Sequence, residues 1–237
     1  MTSLRLAVIG LGRMGQSVVA LAEEQGWDVT ARITAPGNRG GAAITRETLG
    51  GADVCVDFTA AAAAPANIRA AVRAGCPIVV GTTGWNAERE AVEQVVRAAG
   101  GAMLASPNFS LGINVFWQLA EHAARLVARM PGFDAHIVET HHAGKRDAPS
   151  GTALRLREVT SAALERDVPV TSIRTGFVPG THELLFDGAF EQIRLGHVAR
   201  DRRVFAEGAL VAARWLIGRR GIFTMADLLA GDSAPGQ

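Results

Sequence analysis

Between Glu139 and Ala153 the chain places Glu139, His141, His142 and Lys145 just ahead of Pro149-Ser150-Gly151-Thr152-Ala153, so an acid, two imidazoles and a cation share one short run. Histidine is the side chain whose ordinary pKa lets it give or take a proton near neutrality, and Lys145 adds a fixed positive charge. Pro149-Ser150-Gly151-Thr152 reads as a helix start. Ser150 can cap it, and the backbone N–H groups of Gly151, Thr152 and Ala153 then point at any carboxylate lying on the helix axis beyond them. These parts suit a small dianionic substrate that must receive a proton. Two plainer readings stand beside this one. Adjacent histidines on a strand face opposite ways, so one of the pair can be idle. A zinc site is the sharper rival, but neighbouring histidines lack the i, i+4 spacing of helical metal pairs and neither cysteine is near, so no metal is expected.

The elements that must carry this run can be read on either side of it. Phe133-Asp134-Ala135-His136-Ile137-Val138 alternates apolar and polar as a half-buried strand does, and the two histidines emerge where it ends. A helix is expected from Thr152 to Arg166. After it, Thr171–Arg174, Thr181–Phe186 and Phe190–Leu195 alternate between Pro-Gly and Asp-Gly turns, which predicts a mixed or antiparallel sheet with one wet face. Ahead of it, Asn114–Met130 reads as a helix with Val115, Leu119, Leu126 and Val127 toward a core and Glu121, Arg125 and Arg129 outside.

A second chemistry is written at the start of the chain. Leu4–Ile9 is an apolar run fit for a buried parallel strand, Gly10-Leu11-Gly12-Arg13-Met14-Gly15 follows, and Gln16–Gln25 reads as a helix ended by Gly26. Between a strand and a helix, G-x-G-x-x-G permits a tight turn and lets backbone amides approach a pyrophosphate. Further strands are expected at Asp28–Ile33, Ala52–Phe58, Pro77–Val80 and Ala102–Ala105, with helices over Pro65–Ala74 and Glu88–Ala99. Five strands with helices between them predict an α/β, Rossmann-like doubly wound parallel sheet followed by a second α+β domain. Such sheets bind ligands at the carboxyl ends of their strands, where Gly81-Thr82-Thr83 and Ser106-Pro107-Asn108-Phe109 would sit. No acid stands at the end of the second strand, where NAD-preferring folds place one. Thr34, Asn38 and Arg39 could line that pocket instead, with Arg39, or less readily Arg32, meeting a 2′-phosphate, so NADPH is expected to serve at least as well as NADH. The ending is read as a helix from Val204 to Ile217 and a short closing helix over Gly221–Leu229.

Composition narrows the partners. The 237 residues carry a net charge of +1, which offers no general basic field for nucleic acid, so anion binding must be local. No run approaches the length a membrane span needs, and Met1-Thr2-Ser3-Leu4-Arg5 lacks the charged and apolar regions of a signal peptide. Cys55 and Cys76 lie in apolar surroundings and read as buried, reduced thiols of a cytoplasmic protein. The sheet after Val170 presents more surface than one helix can cover, which invites pairing with another subunit.

Glu139, His141, His142, Lys145, Asp147, Pro149, Ser150, Gly151, Thr152 and Ala153 match the pattern E-x-H-H-x-x-K-x-D-x-P-S-G-T-A, and on it the chain resembles 4-hydroxy-tetrahydrodipicolinate reductases, also called dihydrodipicolinate reductases. Gly180-x-His182 and His197-x-Ala199-x-x-Arg202-x-x-Phe205 extend the resemblance across essentially the whole chain. Ala143 stands where many members carry a larger residue, often arginine, Ser106 stands for the commoner alanine, and the glycine loop is one residue shorter than in many relatives. The resemblance implies NADPH or NADH as cofactor and a conjugated, dicarboxylate heterocycle as substrate, reduced to tetrahydrodipicolinate on the route to diaminopimelate and lysine. It implies His141 as proton donor, Lys145 as its assistant, and His142, Lys145, Gly151 and Thr152 as holders of the carboxylates. It sets the nicotinamide against Gly81–Thr83 and Ser106–Phe109. It also implies a dinucleotide-binding domain over 1–109, a substrate-binding and oligomerisation domain over 110–202, a return to the first domain over 203–237, and a homotetramer. Two other classes fit the residues: another nicotinamide enzyme such as an amino-acid dehydrogenase, and a non-catalytic dinucleotide sensor.

Overall fold

The computed structural model describes residues 3–231. Met1 and Thr2, which open the segment weighed as a signal peptide, and the tail after Gly231 lie outside the described residues. The chain separates into two compact units, Met1–Ser110 with Arg203–Gln237, and Leu111–Arg202. In the first unit the order is β1 (Arg5–Ile9), α1 (Arg13–Glu24), β2 (Asp28–Ile33), β3 (Val54–Asp57), α2 (Ala64–Arg73), β4 (Ile78–Val80), α3 (Arg89–Ala98) and β5 (Ala102–Ala105). The second unit holds α4 (Leu111–Val127), β6 (Asp134–His141), α5 (Gly151–Leu164), β7 (Val170–Arg174), β8 (Thr181–Asp187) and β9 (Gln192–Val198), after which α6 (Arg203–Leu216), β10 (Gly221–Phe223) and α7 (Met225–Ala230) complete the first.

The first unit is a six-stranded, wholly parallel sheet in the order β10-β5-β4-β3-β1-β2. Its central strands are apolar on both faces because helices cover both. Leu6, Ile9, Ile78 and Leu104 are fully buried, each side chain stabilising the unit by about 1.5–3 kcal/mol relative to exposure. The α6 helix buries a small-residue face of Ala206, Gly208, Ala209, Ala212 and Ala213. A Cβ at Gly208 would stand 1.7 Å from the Phe109 carbonyl oxygen, so backbone meets backbone there. Cys55 and Cys76 are both free and buried, with their sulfurs 3.2 Å apart.

One expectation fails here. Residues Gly221–Phe223 form β10, paired in parallel with β5, not the beginning of a closing helix. Ile222 and Phe223 suit an extended backbone better than a helix. The helix begins only after Thr224, whose hydroxyl oxygen accepts from the Asp227 N–H while the Asp227 carboxylate accepts from the Thr224 N–H. That reciprocal cap was written in the sequence as Thr-x-x-Asp.

The second unit is a mixed four-stranded sheet, β7-β6-β8-β9, in which β6 and β7 run parallel and the other neighbours antiparallel. Its core joins α4 and α5 to one sheet face through Phe116, Ala120, Ala124, Ile137, Leu156, Leu184 and Phe186. The expected orientation of α4 is corrected: Ile113, Phe116, Ala120, Ala124 and Val127 face the core, whereas Val115, Leu119 and Leu126 are exposed. The helix carries two apolar stripes, and the one containing alanines packs because small side chains permit close approach. On the sheet's other face Ile173 and Val198 stand exposed. Among the described residues no helix is long and apolar enough to cross a membrane.

Candidate active site

Strand alternation decides which histidine is held. Along β6, Ala135, Ile137, Glu139 and His141 are buried, while His136, Val138 and Thr140 are half-buried on the opposite side. His141 is therefore an inward residue, 7 % exposed, and its neighbour on that face is Glu139 at 0 %. The pairing of the sheet then lines up Ser172, Glu139, His182 and His197 across β7, β6, β8 and β9. The His141 and His182 rings meet edge to face with centroids 5.1 Å apart.

Glu139 organises this row. One of its oxygens accepts from the Ser150 N–H at 3.0 Å and from Arg174 Nη2 at 2.7 Å, and the other lies 2.9 Å from His141 Nδ1. Burial alone would raise the Glu139 carboxyl, but the hydrogen bonds from Ser150 and Arg174 prevail and hold its pKa at about 2. Burial lowers the His141 pKa below the ordinary imidazole value. Glu139 opposes that shift, whereas the Lys145 and Arg174 cations add to it. His182, buried and beside His141, is pushed down to about 4. Ligand atoms of Glu139, His141 and His182 lie within 4.8 Å of one another, a spacing that a cation could use. The Arg174 guanidinium already neutralises that carboxylate and would repel a metal ion.

Both large shifts put the folded pKa below the unfolded value, so the unfolded chain binds more protons and stability falls as pH falls. The urea midpoint is expected to drop first between about 6.5 and 4 as His182 resists protonation, then between about 4.5 and 2 as Glu139 does. A flat midpoint from pH 7 to 4 would contradict the buried, neutral His182.

The rest of the signature surrounds this core. Ser150 caps α5, its hydroxyl oxygen accepting from the Ala153 N–H at 3.1 Å. That bond corrects one expectation, since the Ala153 N–H serves the cap and Gly151 and Thr152 supply the leading turn. Lys145 Nζ meets both oxygens of Asp147 at 2.8 Å, which lowers the Asp147 pKa. His142 is half-buried outside the Glu139 row, its Nδ1 3.4 Å from where a Cβ on Gly144 would lie. Sequence reasoning missed Arg174 and gave Glu139 and His182 no task. The signal available was the i, i+2 spacing of Glu139 and His141, which places both on one strand face.

In the other unit, the loops at the carboxyl ends of the strands fit a nucleotide. Gly10 adopts φ +89°, and a Cβ there would stand 2.3 Å from the Phe58 carbonyl oxygen. A Cβ on Gly15 would lie 1.8 Å from the Gly10 oxygen, whereas nothing lies within 4 Å of one on Gly12. The first and third glycines thus serve the turn and the packing of helix on strand, and the second leaves open space at the α1 N-terminus. That end has no side-chain cap and no acid in its first turn, as an approaching pyrophosphate requires. Leu11 and Met14 are half-buried and Arg13 is exposed.

Gly81 packs under the Phe58 ring, which would be 2.0 Å from a Cβ, and the same ring meets Phe109 edge to face. Phe58 is a central residue of this edge that the sequence did not flag. Thr82 is turned inward, its hydroxyl donating to the Asp57 carboxylate, while Thr83 stays exposed. Ser106 donates to the Asn108 carbonyl at 2.8 Å, which closes the Ser106–Phe109 turn and leaves Pro107 exposed. Thr34 and Arg39 are exposed after β2, whereas Arg32 is tied to Glu23. Asn38 is buried, donating to Asn67 Oδ1 at 2.9 Å, and Asn67 donates in turn to Asp57 Oδ2 at 2.8 Å. Burial raises the Asp57 pKa, against the donors Thr82, Asn67 and Thr59.

Known proteins share both halves of the chain. The family model for the dihydrodipicolinate reductase N-terminus matches residues 4–109, and that for its C-terminus matches residues 112–229. The 4-hydroxy-tetrahydrodipicolinate reductase of Methanoregula boonei is 38 % identical over 244 residues, spanning 92 % of this chain and 94 % of the relative. That of Archaeoglobus fulgidus is 37 % identical over 261 residues, spanning 95 % of this chain and 100 % of the relative. Among solved structures, a dipicolinate-bound dihydrodipicolinate reductase from Paenisporosarcina sp. TG-14 shares the fold with a TM-score of 0.74 at 20 % identity, covering 94 % of this chain and 98 % of that one. A scyllo-inositol dehydrogenase from Lactobacillus casei shares it more loosely, with a TM-score of 0.57 at 10 % identity over 100 % of this chain and 91 % of that one. With both halves matched by paired models and relatives aligned nearly end to end, this chain belongs to the dihydrodipicolinate reductase family.

Proposed function

We propose that the protein reduces 4-hydroxy-tetrahydrodipicolinate to tetrahydrodipicolinate, taking its proton from His141. The observation that carries this reading is the buried His141 imidazole on the Glu139 carboxylate, in the same signature run as the Lys145 cation and the α5 N-terminus. Loss of the 4-hydroxyl group as water leaves a conjugated imine, and NADPH or NADH, when bound, would supply the hydride to its electron-poor carbon, so that one hydride and one proton are taken up as one water leaves. His141 meets the negative charge that develops with a proton. His142, Lys145, Gly151 and Thr152 hold the two carboxylates, using the positive end of α5 and the ammonium charge. In the other unit, Gly10 to Gly15 receive the pyrophosphate, and Gly81 to Thr83 with Ser106 to Phe109 border the nicotinamide. The domains follow the same division, with 1–109 for the nucleotide, 110–202 for the substrate and 203–237 returning to the first. The free, buried thiols support a cytoplasmic enzyme.

An assay of the purified protein with the heterocycle and each cofactor tests the reading, and the same assay decides nucleotide choice. NADPH is expected to give kcat/KM at least equal to that of NADH. Arg39→Ala is expected to lower the NADPH value by about 10-fold or more while sparing NADH, as the loss of charge-assisted hydrogen bonds of about 1.5–3 kcal/mol implies before solvent screening. Arg39 is the better candidate because Arg32 is already paired with Glu23. A strong NADH preference in the wild type would exclude this pocket, and turnover of an amino acid in place of the heterocycle would favour the dehydrogenase reading.

The exposed sheet face bearing Ile173 and Val198 supports a homotetramer built through the second unit. Light scattering at micromolar concentration is expected to give four times the chain mass, and a mass equal to one chain would refute the assembly.

A further inference from the structure

Glu139 has no part in the reaction as proposed, yet it is the most enclosed carboxylate of its unit and touches the proton donor. Its side chain is fixed from three elements: the Ser150 N–H ahead of α5, Arg174 on β7 and His141 on its own strand. The Arg174 guanidinium in turn donates to the Asp147 carbonyl at 2.6 Å, so Glu139 cannot swing away without releasing the signature loop. With Ser150 and Arg174 on one oxygen, the other faces His141 Nδ1 at 2.9 Å and stays 3.9 Å from His182 Nε2.

We propose that Glu139 is a positioning residue for the acid: it holds His141 with Nδ1–H inward, so that Nε2 delivers the proton. The inference rests on the reading of His141 as proton donor. At 2.9 Å the two atoms are within ion-pair distance, and neither has a hydrogen-bond partner among the described residues, so an Nδ1–H turned to the acceptor-only carboxylate is the arrangement that serves both. Nε2 points toward Gly180, where a Cβ would lie 3.1 Å from it, so glycine there keeps that nitrogen clear. The charged and titratable groups facing His141 are Glu139 on its own strand, Lys145 and Asp147 from the following loop, Arg174 from β7 and His182 from β8. Lys145 and Arg174 disfavour the imidazolium, and Glu139 is the nearest charge that favours it. A purely structural acid would hold Arg174 and the start of α5 just as well, without governing how His141 titrates.

The test is made on the full chain with 15N-labelled histidine, the His141 signal being assigned by its loss in His141→Asn. Neutral His141 in the wild type is expected as the Nδ1–H tautomer; an Nε2–H tautomer overturns the proposal. Glu139→Gln is expected to lower the His141 titration midpoint by about one pH unit or more. The alkaline limb of kcat/KM should move to lower pH by the same amount, with the low-pH plateau largely kept. Glu139→Asp, which keeps the charge, should recover part of that shift. A folded Glu139→Gln whose midpoint and limb stay in place, with activity lost equally at every pH, shows a structural acid and overturns the proposal. If Glu139→Gln does not fold, the wild-type tautomer and the Glu139→Asp profile decide. Because the titration needs no substrate, failure to reduce the heterocycle would count against the proposed reaction while the orientation of His141 is judged separately.

Discussion

His141→Ala is expected to lower turnover by about 10²–10⁴-fold, the usual contribution of a positioned general acid. The ring is buried, so the substitution also removes packing, but Glu139 keeps its hydrogen bonds from Ser150 and Arg174 and its charge remains compensated. The melting temperature should therefore fall only modestly, and cofactor affinity, set in the other unit, should hold. If the proton comes from His141, the loss falls on kcat as well as kcat/KM, because the interaction exists chiefly in the transition state. Near-normal turnover with a normal melting temperature would remove His141 from the mechanism.

Lys145→Ala is expected to lower kcat/KM by about 10–10²-fold, as follows from losing one charge-assisted contact of about 1.5–3 kcal/mol with a substrate carboxylate. The structure adds a second element, because Lys145 is paired with Asp147. Removing the lysine leaves the Asp147 carboxylate bare beside an anion site, so part of the loss is repulsion. Lys145→Ala with Asp147→Ala should bind substrate better than Lys145→Ala alone. A double variant no better than the single one would show that Asp147 lies outside the field felt by the substrate.

What could be read from the sequence divides along the range of the interactions. The apolar runs of β1, β3 and β5, the glycine loop and the capped start of α5 are local signals, and the fold expected from them is the one found. The orientation of α4 was misread because Val115, Leu119 and Leu126 are as apolar a stripe as Phe116, Ala120 and Ala124. Only the neighbours of the helix choose between them, and they favour small side chains. The three-residue β10 forms because β5 offers a parallel partner far away in sequence. The same holds for the partners of Glu139: Ser172, Arg174 and His182 reach it through strand register, which a single sequence does not display.

The hydrogen-bond chain from Asp57 through Asn67 to Asn38 bears on how this enzyme can change over generations. It anchors the loop after β2 from inside, and a Cβ on Gly41 would stand 2.9 Å from the Ala66 carbonyl oxygen, so the loop is pinned at a second point against α2. The Arg39 guanidinium belongs to neither anchor. If Arg39 meets the 2′-phosphate as proposed, scaffold and selectivity are uncoupled: drift at position 39 would alter which nucleotide is favoured while the anchored loop keeps its shape. A lineage whose NADPH supply dwindles could follow it by a single codon change, with no compensating mutation in the core.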